Sequence, residues 1–127
     1  MKELPGDIFV TGQLLAAQMQ ALAEQGVMSF INNRPDMEGP MQPLSEELEK
    51  TAQELGVDYH HIPMAGGLTP GLIEASQTAF ENLPRPIVAF CASGTRSAAL
   101  WAFAHVDKLG VDGVMEAVSA AGYNLEQ

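Results

Sequence analysis

One cysteine stands in this chain, Cys91, and the residues after it are Ala92, Ser93, Gly94, Thr95, Arg96 and Ser97. A thiol, a short run of small residues and an arginine are what nucleophilic sulfur chemistry requires in one place. Inward-turned N–H groups of a glycine-containing loop create positive potential. Such potential favours a thiolate and cradles an anion, and it can lower a free thiol pKa of about 8.5 by several units. The N-terminus of a following helix adds to that field. Arg96 contributes a permanent charge and a planar fork suited to an oxyanion or a sulfur-containing anion. Gly94 removes the side chain that would clash with inward-turned amides, and Ser97 is expected to donate a hydrogen bond to the thiolate. The expected catalytic set is therefore Cys91, Arg96 and Ser97, with Ala92, Ser93, Gly94 and Thr95 as the anion-binding loop. A lone cysteine is more often a small buried hydrophobe. The joint placement of Cys, Gly, Arg and Ser across a single junction is what favours catalysis here.

That junction needs a strand to deliver the cysteine and a helix to begin at the arginine. Residues 87–90 are Ile-Val-Ala-Phe, a short continuous apolar run of the kind found in the central strand of a parallel sheet. From Arg96 onward an Ala/Leu/Trp-rich helix, apolar nearly all round, is expected to be buried. Strands are predicted over residues 7–10, 27–31 and 57–63, and helices over 13–25, from Ser45 to Gly56, from Pro70 to about Leu83, and from Asp112 to Ala121. The stops and starts have local causes. Gly26 and Gly56 end helices, Ser45 reads as an N-cap with Glu46 and Glu47 in the first turn, and Thr69-Pro70 pairs an N-cap with proline at the first helical position. Pro35 holds Arg34 extended and ends the second strand. Strands alternating with helices predict a three-layer α/β domain with a mostly parallel central sheet, in which ligands bind beyond the carboxyl ends of the strands. Cys91 lies at such an end.

The 127 residues fit a single domain spanning 1–127. With 46% hydrophobic residues and mean hydropathy +0.03 there is apolar material for a core. Six basic residues against sixteen acidic ones give a formal charge of −10, which repels phosphate backbones and anionic lipid, so neither nucleic acid nor membrane is an expected partner. The apolar stretches fall well short of the roughly 18 residues of a membrane span, and the start has no leader pattern, so a cytoplasmic location is expected. A single cysteine allows no internal disulfide. His60 and His61 are neighbours on a strand and point to opposite faces, which argues against a shared metal. His105 reads as a helix-surface or interface residue rather than a base. The methionines read as core filler or loop. No metal and no cofactor is expected; the expected partner is a small anionic sulfur or phosphate compound.

Three segments together resemble a known family: Asn32-Asn33-Arg34-Pro35-Asp36, then His61-Ile62-Pro63, then residues 91–101 from Cys91 to Trp101. They are similar to the phosphatase-like domain of the beta-lactamase-hydrolase-like proteins, the DUF442 family, over nearly the whole chain. The resemblance implies a fold like that of dual-specificity phosphatases, with Cys91 as nucleophile and Arg96 as anion binder. It also implies activity either as a phosphatase or as a sulfurtransferase. Many members carry a basic residue directly after the cysteine, where this chain has Ala92.

Spacing and a missing acid separate those two activities. Cys91 to Arg96 is C-x4-R, the spacing of rhodanese-like sulfurtransferases, whereas cysteine phosphatases use C-x5-R. Such phosphatases also protonate the leaving oxygen with an aspartic acid from a loop near the cleft, and the corresponding residues 64–70 hold no acid. Asp36 and Glu74 remain as carboxylates to reach in. Sulfur transfer needs no such acid, because a thiolate attacking a sulfane sulfur expels an already stable anion. Sulfur transfer is accordingly the expected activity, with phosphoryl hydrolysis and a non-catalytic anion-binding domain as alternatives. Arg34 and Asp36 are candidates for the pocket rim, although Arg34 reads more simply as a solvated loop arginine beside Asp36. Gly66-Gly67 reads as a lid or a plain flexible loop, since no Walker lysine follows it.

Overall fold

The computed structural model describes residues 1–125. In chain order the elements are β1 (Lys2–Leu4), β2 (Ile8–Thr11), α1 (Ala16–Glu24), β3 (Ser29–Asn32), α2 (Ser45–Leu55), β4 (Asp58–His61), α3 (Pro70–Asn82), β5 (Ile87–Phe90) and α4 (Thr95–Ala120). They form one five-stranded sheet in the order β1-β2-β5-β3-β4. β2, β5, β3 and β4 run parallel, and only β1 pairs antiparallel, against β2. The apolar run Ile87–Phe90 is the central strand, fully buried along its length, as its unbroken hydrophobicity requires.

Alternation along the strands splits the core into two layers. Ile8, Val10, Ile31, Ile87 and Ala89 face α3 and α4, where they pack with Phe80, Ala98 and Trp101. Phe30, Val88 and Phe90 face the other way and meet Met19 of α1 with Leu48 and Ala52 of α2. A period of two in the strands thus builds the three layers that the strand-helix order predicts.

Several boundaries differ from the sequence reading. β1 lies outside the predicted strands, since a three-residue strand with two exposed residues carries no periodic signal. α1 begins at Ala16 rather than at residue 13, because Gln13 is used instead to bond the Ala92 carbonyl through its N–H. Ser45 is the first helical residue and not the N-cap, which is Leu44; Glu47 reaches back to the Leu44 N–H, and the Ser45 hydroxyl is shared with the Tyr59 hydroxyl at 2.7 Å. Thr69 does cap α3, accepting from the Leu72 N–H at 3.1 Å with Pro70 behind it. The two C-terminal helices run together as α4, broken at Gly110 with φ 75° and ψ 164°. Of the helix expected to be apolar all round, Phe103 is exposed while Trp101 and Leu100 are buried. His105 is half-buried on α4: its ring stacks on Trp101 at 4.8 Å, and Nδ1 lies 2.7 Å from the Trp101 carbonyl oxygen.

Candidate active site

Cys91 follows β5 directly and is fully buried. Its N–H bonds the carbonyl of Thr11 at the end of the adjacent β2, at 3.4 Å, so the thiol is anchored to two neighbouring parallel strands. The chain then turns. The Gly94 N–H donates to the Cys91 Sγ at 3.0 Å. Burial on its own pushes the thiol up, but main-chain N–H groups of Ser97, Ser93, Gly94 and Arg96 together outweigh it, and the thiol is held below its ordinary value. The loop's hydroxyls turn elsewhere: Ser93 donates to the Thr95 hydroxyl at 3.1 Å, and the Thr95 N–H returns to the Ser93 oxygen. Ala92 is exposed, with its carbonyl resting against Gly12.

Gly94 is required for more than inward-turned amides. It caps α4 at φ 95°, a conformation L side chains rarely adopt, and a Cβ there would run into the Tyr123 hydroxyl. Tyr123, delivered from beyond the end of α4, therefore packs directly on the loop. Its phenol is pushed up by burial and, secondarily, by charge on Cys91.

The hydroxyl of Ser97 does not serve the thiolate. It donates to the Asn33 Oδ1 at 2.7 Å, and Asn33 in turn donates from Nδ2 to the Ile62 carbonyl at 2.9 Å. Both residues are buried, and a buried hydroxyl facing a buried amide oxygen bonds it, because an unmade bond there costs about 1–3 kcal/mol. Ser97 thus reaches the sulfur through its N–H, while its side chain ties the start of α4 to β3 and the end of β4.

Arg96 has a partner that the sequence reading did not name. Its Nη1 and Nη2 donate to Glu38 Oε2 and Oε1, each at 2.8 Å, and Nη1 also donates to the Met64 carbonyl at 3.0 Å. Glu38 takes a third bond, from the Arg34 Nε at 3.0 Å, and Arg34 reaches the Gln13 side-chain oxygen through Nη1 at 3.1 Å. Arg34 is therefore no solvated arginine beside Asp36; its side chain is 15% exposed and bound within the site. Hydrogen bonds from Arg96, and to a lesser degree from Arg34, hold the Glu38 carboxyl down at about 2 against the opposing effect of burial. Glu38 in turn does most to keep Arg96 protonated, and charge on Cys91 adds to it.

The other carboxylates proposed for the cleft lie elsewhere. Asp36 accepts from the Ser45 N–H at 2.8 Å and so fixes the start of α2. Glu74 lines a groove between β4 and α3 together with His60. One signal for Glu38 was present in the sequence: the Pro- and Gly-rich stretch after β3 sits at a strand end beside β5, so any acid in it was a candidate. Choosing between Asp36 and Glu38 takes side-chain geometry. His61 Nε2 lies 2.8 Å from the Arg34 carbonyl oxygen. Among the described residues no group of three or more His, Cys, Asp or Glu is arranged to hold a metal ion, and no helix is long and apolar enough to cross a membrane.

The sequence profile of the beta-lactamase hydrolase-like protein, phosphatase-like domain, matches residues 1–108. A beta-lactamase hydrolase-like protein of Agrobacterium fabrum is 37% identical over 93 residues, which make up 72% of this chain and 22% of that protein. The chain thus spans less than a quarter of the length of that relative. A candidate phosphatase of Neisseria meningitidis superposes with a TM-score of 0.83 at 30% identity, over 99% of this chain and 92% of that one. The core catalytic domain of a PP-IP phosphatase from S. cerevisiae superposes with a TM-score of 0.63 over 84% of this chain and 64% of that one; at 21% identity the likeness is one of fold alone.

Proposed function

The chain belongs to the family of the phosphatase-like domain of beta-lactamase hydrolase-like proteins, and from that premise we propose that it is a sulfurtransferase that carries sulfane sulfur as a Cys91 persulfide. The observation that supports this most is the chemical make-up of the site. A buried thiol is held low by four main-chain N–H groups beside an arginine, and the carboxylate that reaches this arginine is itself held ionised at about 2. A carboxylate in that state has no proton to give to a leaving oxygen at neutral pH, and residues 64–70 contain no acid to do so.

Sulfur transfer asks for nothing more. With thiosulfate as donor, the Cys91 thiolate attacks the outer sulfur, the S–S bond of thiosulfate breaks, and sulfite leaves with the bonding pair. The product is a Cys91 persulfide anion. The N–H groups that lower the thiol and the neighbouring guanidinium stabilise this anion too. A thiolate acceptor then attacks the outer sulfur and returns Cys91 to its starting form.

The reading is tested by intact-protein mass spectrometry after treatment with thiosulfate, a polysulfide or glutathione persulfide. One added sulfur atom is expected, removable by cyanide or a thiol, and absent from Cys91→Ser. The second reading, hydrolysis of a phosphate ester through a Cys91 phosphoenzyme, is favoured by the fold and by the description of the Neisseria structure as a candidate phosphatase. It takes over if no donor adds sulfur while an aryl phosphate is turned over in a Cys91-dependent way. In either case the expected partner is a small anion.

A further inference from the structure

A guanidinium has five N–H groups, and the structure accounts for three of those on Arg96. Both hydrogens of Nη1 are engaged, one by Glu38 Oε2 and one by the Met64 carbonyl, while Nη2 gives one to Glu38 Oε1. The end-on fork is therefore filled. The remaining two N–H groups, on Nε and Nη2, lie along one edge of the plane; among the described residues no oxygen takes them, and the guanidinium's further interaction is with the Cys91 sulfur, so this is the edge turned to the thiol. That edge is a second bidentate fork.

We infer that Glu38 is a positioning residue for anion binding: with the Met64 carbonyl it fixes the plane of Arg96 so that the Nε–Nη2 edge is presented to two oxygens of a substrate anion beside Cys91. Arg34 supports the same arrangement by donating to Glu38 Oε1 as well, while Gln13 holds Arg34. A long, flexible arginine would otherwise sample many rotamers, and fixing it beforehand removes that cost from the binding step. The inference deepens the anion-site reading of the proposed function, and it holds equally for a sulfur oxyanion and for a phosphoryl group.

The opposite role for Glu38 gives an opposite sign. If its carboxylate merely occupied the place of the anion, removing its charge would tighten anion binding. The experiment is titration calorimetry of inorganic sulfate and of thiosulfate against the intact protein, Glu38→Gln and, as the site control, Arg96→Ala. Glu38→Gln is expected to bind both anions about tenfold more weakly, since loss of orientation near a reacting centre costs on the order of 10- to 100-fold. Its melting temperature is expected to stay within about 3 °C of the parent, because the pair is partly solvent-exposed. Tighter binding or unchanged binding in Glu38→Gln overturns the inference, as does sulfate binding in the parent that is indifferent to Arg96→Ala. Weaker binding without any persulfide on Cys91 leaves the positioning role standing and removes only the sulfur-transfer reading.

Discussion

Two loops flank the cysteine loop, one after β3 at residues 33–44 and one after β4 at residues 62–69, and they serve Arg96 by different means. The first delivers a charged side chain, Glu38, backed by Arg34. The second delivers a main-chain oxygen, that of Met64. A carbonyl keeps its acceptor strength at every pH, whereas a carboxylate does so only while ionised. One of the three bonds that grip Arg96 is therefore fixed and two depend on charge. The contrast also bears on chemistry, because the second loop holds no acid and supplies Arg96 with backbone only, while Glu38 of the first is committed to arginine.

The largest expected effect comes from removing the group on which both loops converge. Arg96→Lys keeps the charge but offers one compact ammonium, which cannot hold two oxygens of Glu38 and the Met64 carbonyl while facing an anion. Persulfide formation is expected to fall by about 10²-fold or more, the scale of losing an oriented oxyanion donor; near-normal rates would show that only diffuse charge matters.

A smaller effect separates the two loops by pH. Glu38 has a folded pKa below its ordinary value of 4.5, so its stabilising contribution is fully present above 4.5 and is lost as pH falls towards about 2. The stability difference between the parent and Glu38→Gln, followed by urea unfolding, is expected to be constant from neutrality to about pH 4.5 and to vanish towards pH 2. Its size is expected to stay below about 1 kcal/mol, since both side chains are partly exposed. Cys91 follows the same sign at higher pH: its thiol is depressed, so its contribution is complete above the ordinary thiol value and is lost as pH falls through the lower folded one. A parent-minus-Glu38→Gln difference that grows on acidification would contradict the Glu38 assignment.

The smallest effect concerns the second loop's anchor. Thr69→Ala removes the α3 cap and is expected to cost about 1 kcal/mol in urea unfolding. Anion affinity should be unchanged, because the Met64 carbonyl is also held in place by the Met64 N–H, which bonds the Asn33 carbonyl at 3.0 Å. A loss of sulfate affinity in this variant would show that the backbone part of the grip depends on the helix.

The chemistry-bearing segment was legible because it is local. Residues 87–97 contain their own strand, turn and helix start, and an unbroken apolar run, a glycine with its φ at 95° and an arginine directly before the buried Ser97 and Ala98 are all properties of neighbours in the chain. For the same reason the parallel three-layer fold followed from alternation and from turn residues. The position of Thr69 and the fate of residues 87–90 could be read without knowing what lay across from them.

Whatever depended on a choice between distant partners was not legible. Nearness in sequence points the Ser97 hydroxyl at the Cys91 thiolate, yet the buried oxygen of Asn33, 64 positions away, takes it. Arg96 was read as free to meet a substrate, and its end-on fork is instead held by Glu38, 58 positions away. Asp36 and Glu38 are two residues apart in one loop, and only folding decides that the first secures α2 while the second crosses to Arg96. By itself the sequence determined which groups could carry charge and nucleophilicity, because those are properties of residue types and short spacings. The tertiary structure decided which donor meets which acceptor, because hydrogen bonds are directional over about 3 Å and a chain brings that order about only by packing strands that are far apart along it.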